Sequence, residues 1–298
     1  MKYYGALEAG GTKMVLAILD ENGGFAERLT VPTGTPEETM PRMLDFFSGH
    51  TLEAMGIAAF GPLVLDKRSP DYGSIGATPK LAWRNYPLAK VFKDRLCVPV
   101  VLDTDVNGAA LAEYTSGAAK GLESCVYVTV GTGIGGGLVI NGAPVHGLMH
   151  PELGHILIVP GPEDPMPQGI CPSHGHCLEG LASGPSMQRR WGVPARELPP
   201  DHPGWALESA YLAQLCTFLM LAVSPQKIIL GGGVMQHTEL FPLIRQETLR
   251  LLNGYITSPV IDDGLKEYIV MPGLGTNSGI LGAYQLARHA GDDMFACF

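Results

Sequence analysis

Five side chains between His150 and Gly184 are suited to holding a soft metal: His155, Cys171, His174, His176 and Cys177. Cys171, His174 and Cys177 are separated by two residues each, so one short loop can aim three ligands at a single point. His155, upstream, supplies a fourth and completes a Cys₂His₂ set, the usual tetrahedral coordination of structural zinc. Pro172 and Gly175 allow the tight turns that such a knuckle needs. His174 is preferred over His176, because His176 abuts Cys177 and adjacent residues in an extended loop point apart. Four protein ligands leave no position for substrate, and the zinc reads as structural. Glu152 and Glu179 flank the loop, so a metal that pins it also fixes two carboxylates in space.

A second cluster, Asp103-Thr104-Asp105-Val106-Asn107, follows the apolar run Val98 to Leu102 and precedes the helical pattern GAALAEYTSGAA. It therefore sits at a strand-to-helix junction, where open α/β sheets place ligands. One member caps the helix and the others are left for a ligand.

Glycine turns form the third group. Tyr3 to Leu7 and Met14 to Leu19 read as strands joined by Glu8 to Lys13 (EAGGTK). A Walker loop leads from glycine into a helix, and this one leads into a strand. The Gly10-Gly11-Thr12 hairpin can still offer backbone N–H groups and a hydroxyl to a phosphate, with Lys13 beside them. Gly131-Thr132-Gly133-Ile134-Gly135-Gly136-Gly137, read as a glycine turn between strands Ser124 to Val130 and Leu138 to Asn141, repeats the pattern. Two α/β halves, each opening on a hairpin with Gly-Thr in its turn, predict duplicated domains facing a cleft and both turns aimed at one polyphosphate. Gly231-Gly232-Gly233 lies between the strand Lys227 to Leu230 and an expected helix, and is placed near the adenosine end of a nucleotide.

Around these groups, Pro36 to Phe47 reads as a helix capped by Thr35 with Glu38 completing a capping box, and Pro41 inside it. Leu52 to Phe60 is a strand, and Ser69 to Arg84 a polar loop too long to be idle. Gly204 to Val223 is a helix stopped by Pro225, and a last helix starts at Asn277 or Ser278. The expected domains are 1–117, completed by the helix 277–290, and 118–276.

The chain has 298 residues, 46% of them hydrophobic and 16% charged, which describes a globular protein. A net charge of −9 without a basic cluster argues against nucleic acid as a partner. No stretch reads as a secretion signal, and the most apolar helix segment, Leu212 to Val223, is too short for a bilayer. Two of six cysteines lie in the metal loop and three in apolar runs, a pattern suited to a reducing cytoplasm.

In order along the chain, LEAGGTK, FGP, ATPKLAW, TDVNGAALAE, GTGIGGG, HPELGH, CPSHGHC, EGLASGP and IILGGGV resemble the ROK family (repressor, open reading frame, kinase), specifically its bacterial fructokinase branch. The resemblance covers nearly the whole chain. It implies a two-domain α/β fold of the actin and hexokinase type, built on duplicated RNase H-like domains with ATP in the interdomain cleft. It implies that Asp105 is the catalytic base, with Asp103 as the alternative, and that Thr104, Glu152, His155 and Glu179 lie at the sugar. It also implies ATP, magnesium and zinc as cofactors and a homodimer as the assembly. The usual ROK zinc set is one His and three Cys; Cys171, His174 and Cys177 resemble the fructokinase variant. Many ROK glucokinases carry Asp where Glu8 stands and a sugar-touching Asn where Thr104 stands, and both departures point to fructose. The hairpin begins at residue 3, which leaves no room for the helix-turn-helix of the gene-regulator members. The expected reaction is transfer of the ATP γ-phosphoryl group to the 6-hydroxyl of D-fructose. Mannose, glucose or an N-acetylhexosamine is the alternative substrate, and a sugar sensor without turnover the alternative role.

Overall fold

The computed structural model describes residues 1–291. The tail after Gly291, expected to fray, and Cys297 lie outside the described residues.

The described residues separate into two compact units, one of residues 1–120, 137–151 and 276–291, the other of 121–136 and 152–275. In the first, β1 (Tyr3–Ala9), β2 (Lys13–Asp20), β3 (Phe25–Pro32), β4 (Ala54–Ala59) and β5 (Val100–Thr104) form a sheet in the order β3-β2-β1-β4-β5. β1 and β2 are an antiparallel hairpin, while β4 and β5 run parallel to β1. β4 is buried along its whole length, as a parallel strand covered on both faces must be. Helices α1 (Pro36–Ser48), α2 (Leu88–Leu96), α3 (Asp105–Ser116) and α9 (Ser278–Arg288) belong to this unit. Thr35 precedes α1, and the Glu38 carboxylate accepts its backbone N–H at 3.0 Å. α9 lies close over the sheet and α3 because glycines meet there: a Cβ on Gly56 would overlap the Ala283 carbonyl, and one on Gly282 the Gly108 backbone.

The second sheet runs β10-β9-β6-β7-β8, from β6 (Ser124–Val130), β7 (Ile134–Ile140), β8 (Ala143–Pro144), β9 (Ile228–Gly231) and β10 (Ile269–Val270). Matched strand for strand, β1 to β5 correspond to β6 to β10, with the parallel partners in the same places. The remaining helices are α4 (Leu178–Ala182), α5 (Gly184–Trp191), α6 (Gly204–Ala222), α7 (Leu240–Leu252) and α8 (Pro259–Asp262).

Three expectations need correction. The domain expected over 118–276 loses 137–151 to the first unit, because β7 continues out of the second unit and a Cβ on Gly137 would overlap the Val106 backbone. The glycine turn ends at Gly133, and Gly135 to Gly137 are strand rather than loop. The Gly231–Gly233 triplet leads into a 3₁₀ turn, Val234–Gln236, and α7 begins only at Leu240. Helix α6 has 19 residues, long and apolar enough by composition to cross a bilayer, yet 56% of that stretch is buried in the protein. Leu212, Leu215, Cys216 and Leu219 make it a core helix.

Candidate functional site

In the second unit, His155, Cys171, His174 and Cys177 converge, with their ligand atoms all within 4.8 Å of one another. Cys177 Sγ lies 3.5 Å from His155 Nδ1, and Cys171 Sγ lies 3.9 Å from His155 Nδ1 and 3.7 Å from His174 Nδ1. Zinc bonds of about 2.3 Å to sulfur and 2.0–2.1 Å to nitrogen in a tetrahedron put those edges at roughly 3.6 Å. The donor set and its spacing therefore fit zinc. His174 stands in the group and His176 does not. Loop geometry explains the convergence: Cys171 and Gly175 bridge each other, and a Cβ on Gly175 (φ +63°) would come within 2.9 Å of the Gln168 carbonyl. Burial pushes the Cys177 thiol up to about 11, so metal binding there releases a proton.

Cys177 also caps α4, its sulfur accepting the Gly180 N–H at 3.4 Å. Glu179, the second residue of α4, reaches back to the β6–β7 turn, where its Oε2 accepts the Ile134 N–H at 2.9 Å. The carboxylate lies so close to Gly133 that a Cβ there would sit 2.6 Å from Oε2. Glu152 is exposed just before the 3₁₀ turn Leu153–His155. The turn Gly131–Gly133 meets the glycine triplet: a Cβ on Gly131 would be 3.8 Å from Gly233 N, and the Gly131 carbonyl accepts the Gly184 N–H at 2.8 Å. Gly232 has φ +95° and lies against the Val130 backbone, while a Cβ on Gly233 would meet nothing within 4 Å.

In the first unit the polar cluster sorts itself by role. Thr104 is the N-cap of α3, its hydroxyl oxygen accepting the Asn107 N–H at 3.1 Å. Asp103, 3% exposed, is held on both oxygens. Oδ1 accepts the Thr104 N–H at 2.7 Å and the Asn107 amide at 2.8 Å, and Oδ2 pairs with His146 Nε2 at 3.0 Å. Burial works against the His146 cation, but the hydrogen bond to Asp103 and its charge prevail and raise the imidazole above its ordinary value. Asp105 is the first residue of α3 and half-buried, with Oδ1 accepting the Val106 N–H at 2.9 Å. A helix N-terminus favours negative charge at that position.

At the β1–β2 turn, Gly11, Thr12 and Lys13 are exposed, and the Gly10 N–H is tied back to the Lys13 carbonyl at 3.0 Å. Thr33 steadies the turn from β3, donating its hydroxyl to the Gly10 carbonyl at 2.8 Å. Burial raises the Glu8 carboxyl above its usual range, opposed by the charges of Lys13 and Arg28. Two side chains to which the sequence reading gives no role enter here. Lys80 stands over Gly11, and His146 holds Asp103. Lys80 was hidden inside a long loop, and His146 lies 43 positions beyond its partner with no spacing rule to link them.

The ROK family model matches residues 4–290. A putative fructokinase of Bacillus subtilis is 47% identical over 286 residues, covering 96% of this chain and 95% of that protein. The fructokinase of Zymomonas mobilis is 44% identical, covering 97% of each. The crystal structure of a ROK glucokinase from Streptomyces griseus in complex with glucose and AMPPNP superposes with a TM-score of 0.77 at 26% identity, covering 96% of this chain and 99% of that one. With a family match over nearly its full length, with the two-domain sugar-kinase fold and with relatives this close, the chain belongs to the ROK family.

Proposed function

We propose that this protein is a fructokinase, transferring the γ-phosphoryl group of ATP to the 6-hydroxyl of D-fructose. The observation that carries the substrate is the full-length identity of 47% and 44% to two fructokinases. The site supports the chemistry. Asp103 has both oxygens engaged and is nearly closed to solvent, which favours the half-buried Asp105 over it as the base. Asp105 accepts the proton of the 6-hydroxyl as that oxygen bonds to the γ-phosphorus and the bond to the bridging oxygen of ADP breaks.

Backbone N–H groups of Gly11 and Thr12 in the Gly10–Thr12 turn and of Thr132 and Gly133 in the Gly131–Gly133 turn, with Lys13 at the first turn, take the phosphates, and Gly231 to Gly233 take the adenosine end. Thr104, Glu152, His155 and Glu179 form the sugar side. Magnesium, carried on ATP, neutralises phosphate charge during transfer. His155, Cys171, His174 and Cys177 would hold a structural zinc, which secures the cap on α4 and through it Glu179. The reading includes a cytoplasmic homodimer. Leu157, Val159, Phe218 and Leu221, all exposed in the second unit, supply apolar surface for a second copy.

The test is ADP release from ATP and magnesium with fructose, mannose, glucose and N-acetylglucosamine, with Asp105→Asn as control. Fructose-dependent release, lost in the variant, is the expected outcome. Release with another sugar moves the substrate, and no release with any sugar from zinc-replete protein leaves a sensor.

A further inference from the structure

Lys80 lies in the connection from β4 to α2, just before the 3₁₀ turn Leu81–Trp83. Its position is built: the Thr78 side chain, 1% exposed, accepts the Lys80 N–H at 3.3 Å. Arg84 donates to the Thr78 carbonyl at 3.2 Å, and buried Trp83 donates its indole N–H to the Gly34 carbonyl at 2.8 Å. The Lys80 stem is thereby delivered to the β1–β2 turn. A Cβ on Gly11 would lie 3.0 Å from its Cε and 3.6 Å from its Nζ. The ammonium stands 5.9 Å from the Phe60 ring centroid. Phe60 itself is tied to the hairpin by its backbone N–H, given to the Ala9 carbonyl at 2.9 Å.

Among the described residues no carboxylate lies within ion-pair distance of Lys80. In a chain of net charge −9, a fixed cation with no anion beside it, facing exposed backbone of a glycine turn, marks a place that an anionic ligand completes. Lysine binds phosphate as a compact point charge. Asp105, the proposed base, belongs to the same unit.

We infer that Lys80 contacts the γ-phosphate of ATP across the Gly10–Thr12 turn and bears part of its charge during transfer, which makes it a further catalytic residue. The inference rests on the kinase reading above. Lys80 stays protonated throughout: the hydroxyl proton goes to Asp105, and the electron pair of the broken bond leaves with ADP.

Lys80→Met keeps the apolar stem on Phe60 and removes the charge, and Lys80→Arg keeps the charge. With fructose, Lys80→Met should lower kcat about 100-fold, leave KM for fructose within about twofold, and leave the thermal midpoint near that of the wild type. Lys80→Arg should fall between the two. Calorimetry should show a non-hydrolysable ATP analogue bound about tenfold more weakly by Lys80→Met while ADP binds equally. A kcat within about threefold of wild type, a loss confined to KM for fructose, or equal losses for the analogue and ADP each overturn the assignment. If the wild type turns over no sugar and yet Lys80→Met still weakens only the analogue, the fructokinase reading fails and the Lys80 contact stands. If the wild type binds no analogue, both fall.

Discussion

The turns at Gly10–Thr12 and Gly131–Gly133 occupy the same place in two sheets of the same strand order, yet a lysine stands over the first and a glutamate over the second. Lys80 approaches Gly11 from a loop of the first unit, while Glu179 approaches Gly133 from α4 and takes the Ile134 N–H at 2.9 Å. Because strand order and turn length match, the difference lies largely in what each duplicated hairpin has acquired around it. A cation beside free N–H groups suits the group being transferred. A carboxylate already bonded to the turn suits hydroxyl groups of a neutral sugar, and it leaves less of that turn to a phosphate. On this reading the first unit carries the chemistry and the second carries recognition, with the zinc loop supporting recognition alone.

The largest effect should come from the first unit. Asp105→Asn removes the proposed base and should lower kcat about 10³-fold with nucleotide affinity retained. Glu179→Gln keeps an acceptor for the Ile134 N–H and loses only charge, so its effect should fall on KM for fructose, about tenfold, with a small change in kcat. Steady-state kinetics over both substrates separate the two. A kcat loss in Glu179→Gln as deep as in Asp105→Asn breaks the division of labour.

Glycine substitutions sharpen it through stability. Gly232→Ala forces a side chain onto φ +95° and into the Val130 backbone. It should cost about 3 kcal/mol, or roughly 10 °C in thermal midpoint. Gly233→Ala meets open space and should be close to neutral in the same scan. Between the two turns, Gly11→Ala presses only on the flexible end of Lys80 and should fold normally with reduced turnover. Gly133→Ala displaces the Glu179 carboxylate from 2.6 Å and should reproduce the fructose defect of Glu179→Gln.

Much of this architecture is readable in the sequence, because it rests on local rules. Apolar runs and Gly-Thr turns give the hairpins, Thr35 and Glu38 give the start of α1, and ligand spacing gives Cys171, His174 and Cys177. What the sequence hides is whatever depends on a partner far along the chain. β7 reads as starting at Leu138 because three glycines look like a turn, whereas they are strand residues that let Leu153 and the Val106 backbone come close. The role of Thr104 as cap rather than free hydroxyl depends on one hydrogen bond to Asn107. Neither the Lys80–Gly11 approach nor the His146–Asp103 pair has a spacing that would announce it.

Zinc removal tests the recognition side with a smaller effect. Cys177 both belongs to the candidate metal-binding group and caps the helix that carries Glu179. Chelation, or Cys171→Ser, should lower the thermal midpoint by about 5 °C and raise KM for fructose. The preference of Lys80 for a triphosphate analogue over ADP should survive, since that contact lies in the other unit. A chelated protein that loses the analogue preference would show that the two turns do not act separately.

The smallest effect is a pH dependence confined to the first unit. The folded His146 imidazole titrates above its ordinary value of about 6.5, so its pair with Asp103 stabilises fully below that value. The contribution fades as pH rises through the folded value, when the imidazole loses its proton while Asp103 stays charged. The His146 side chain is 33% exposed, so solvent screens the pair and the shift in midpoint should be about 1–2 °C. His146→Gln keeps a donor for Asp103 without a titrating group. Thermal scans from about pH 5.5 to 8.5 should show the wild type losing its advantage over the variant on the alkaline side. Parallel curves would mean that Asn107 and the Thr104 N–H hold Asp103 without help. In that case the charge of His146 has no part in steadying the strand end from which Asp105 projects.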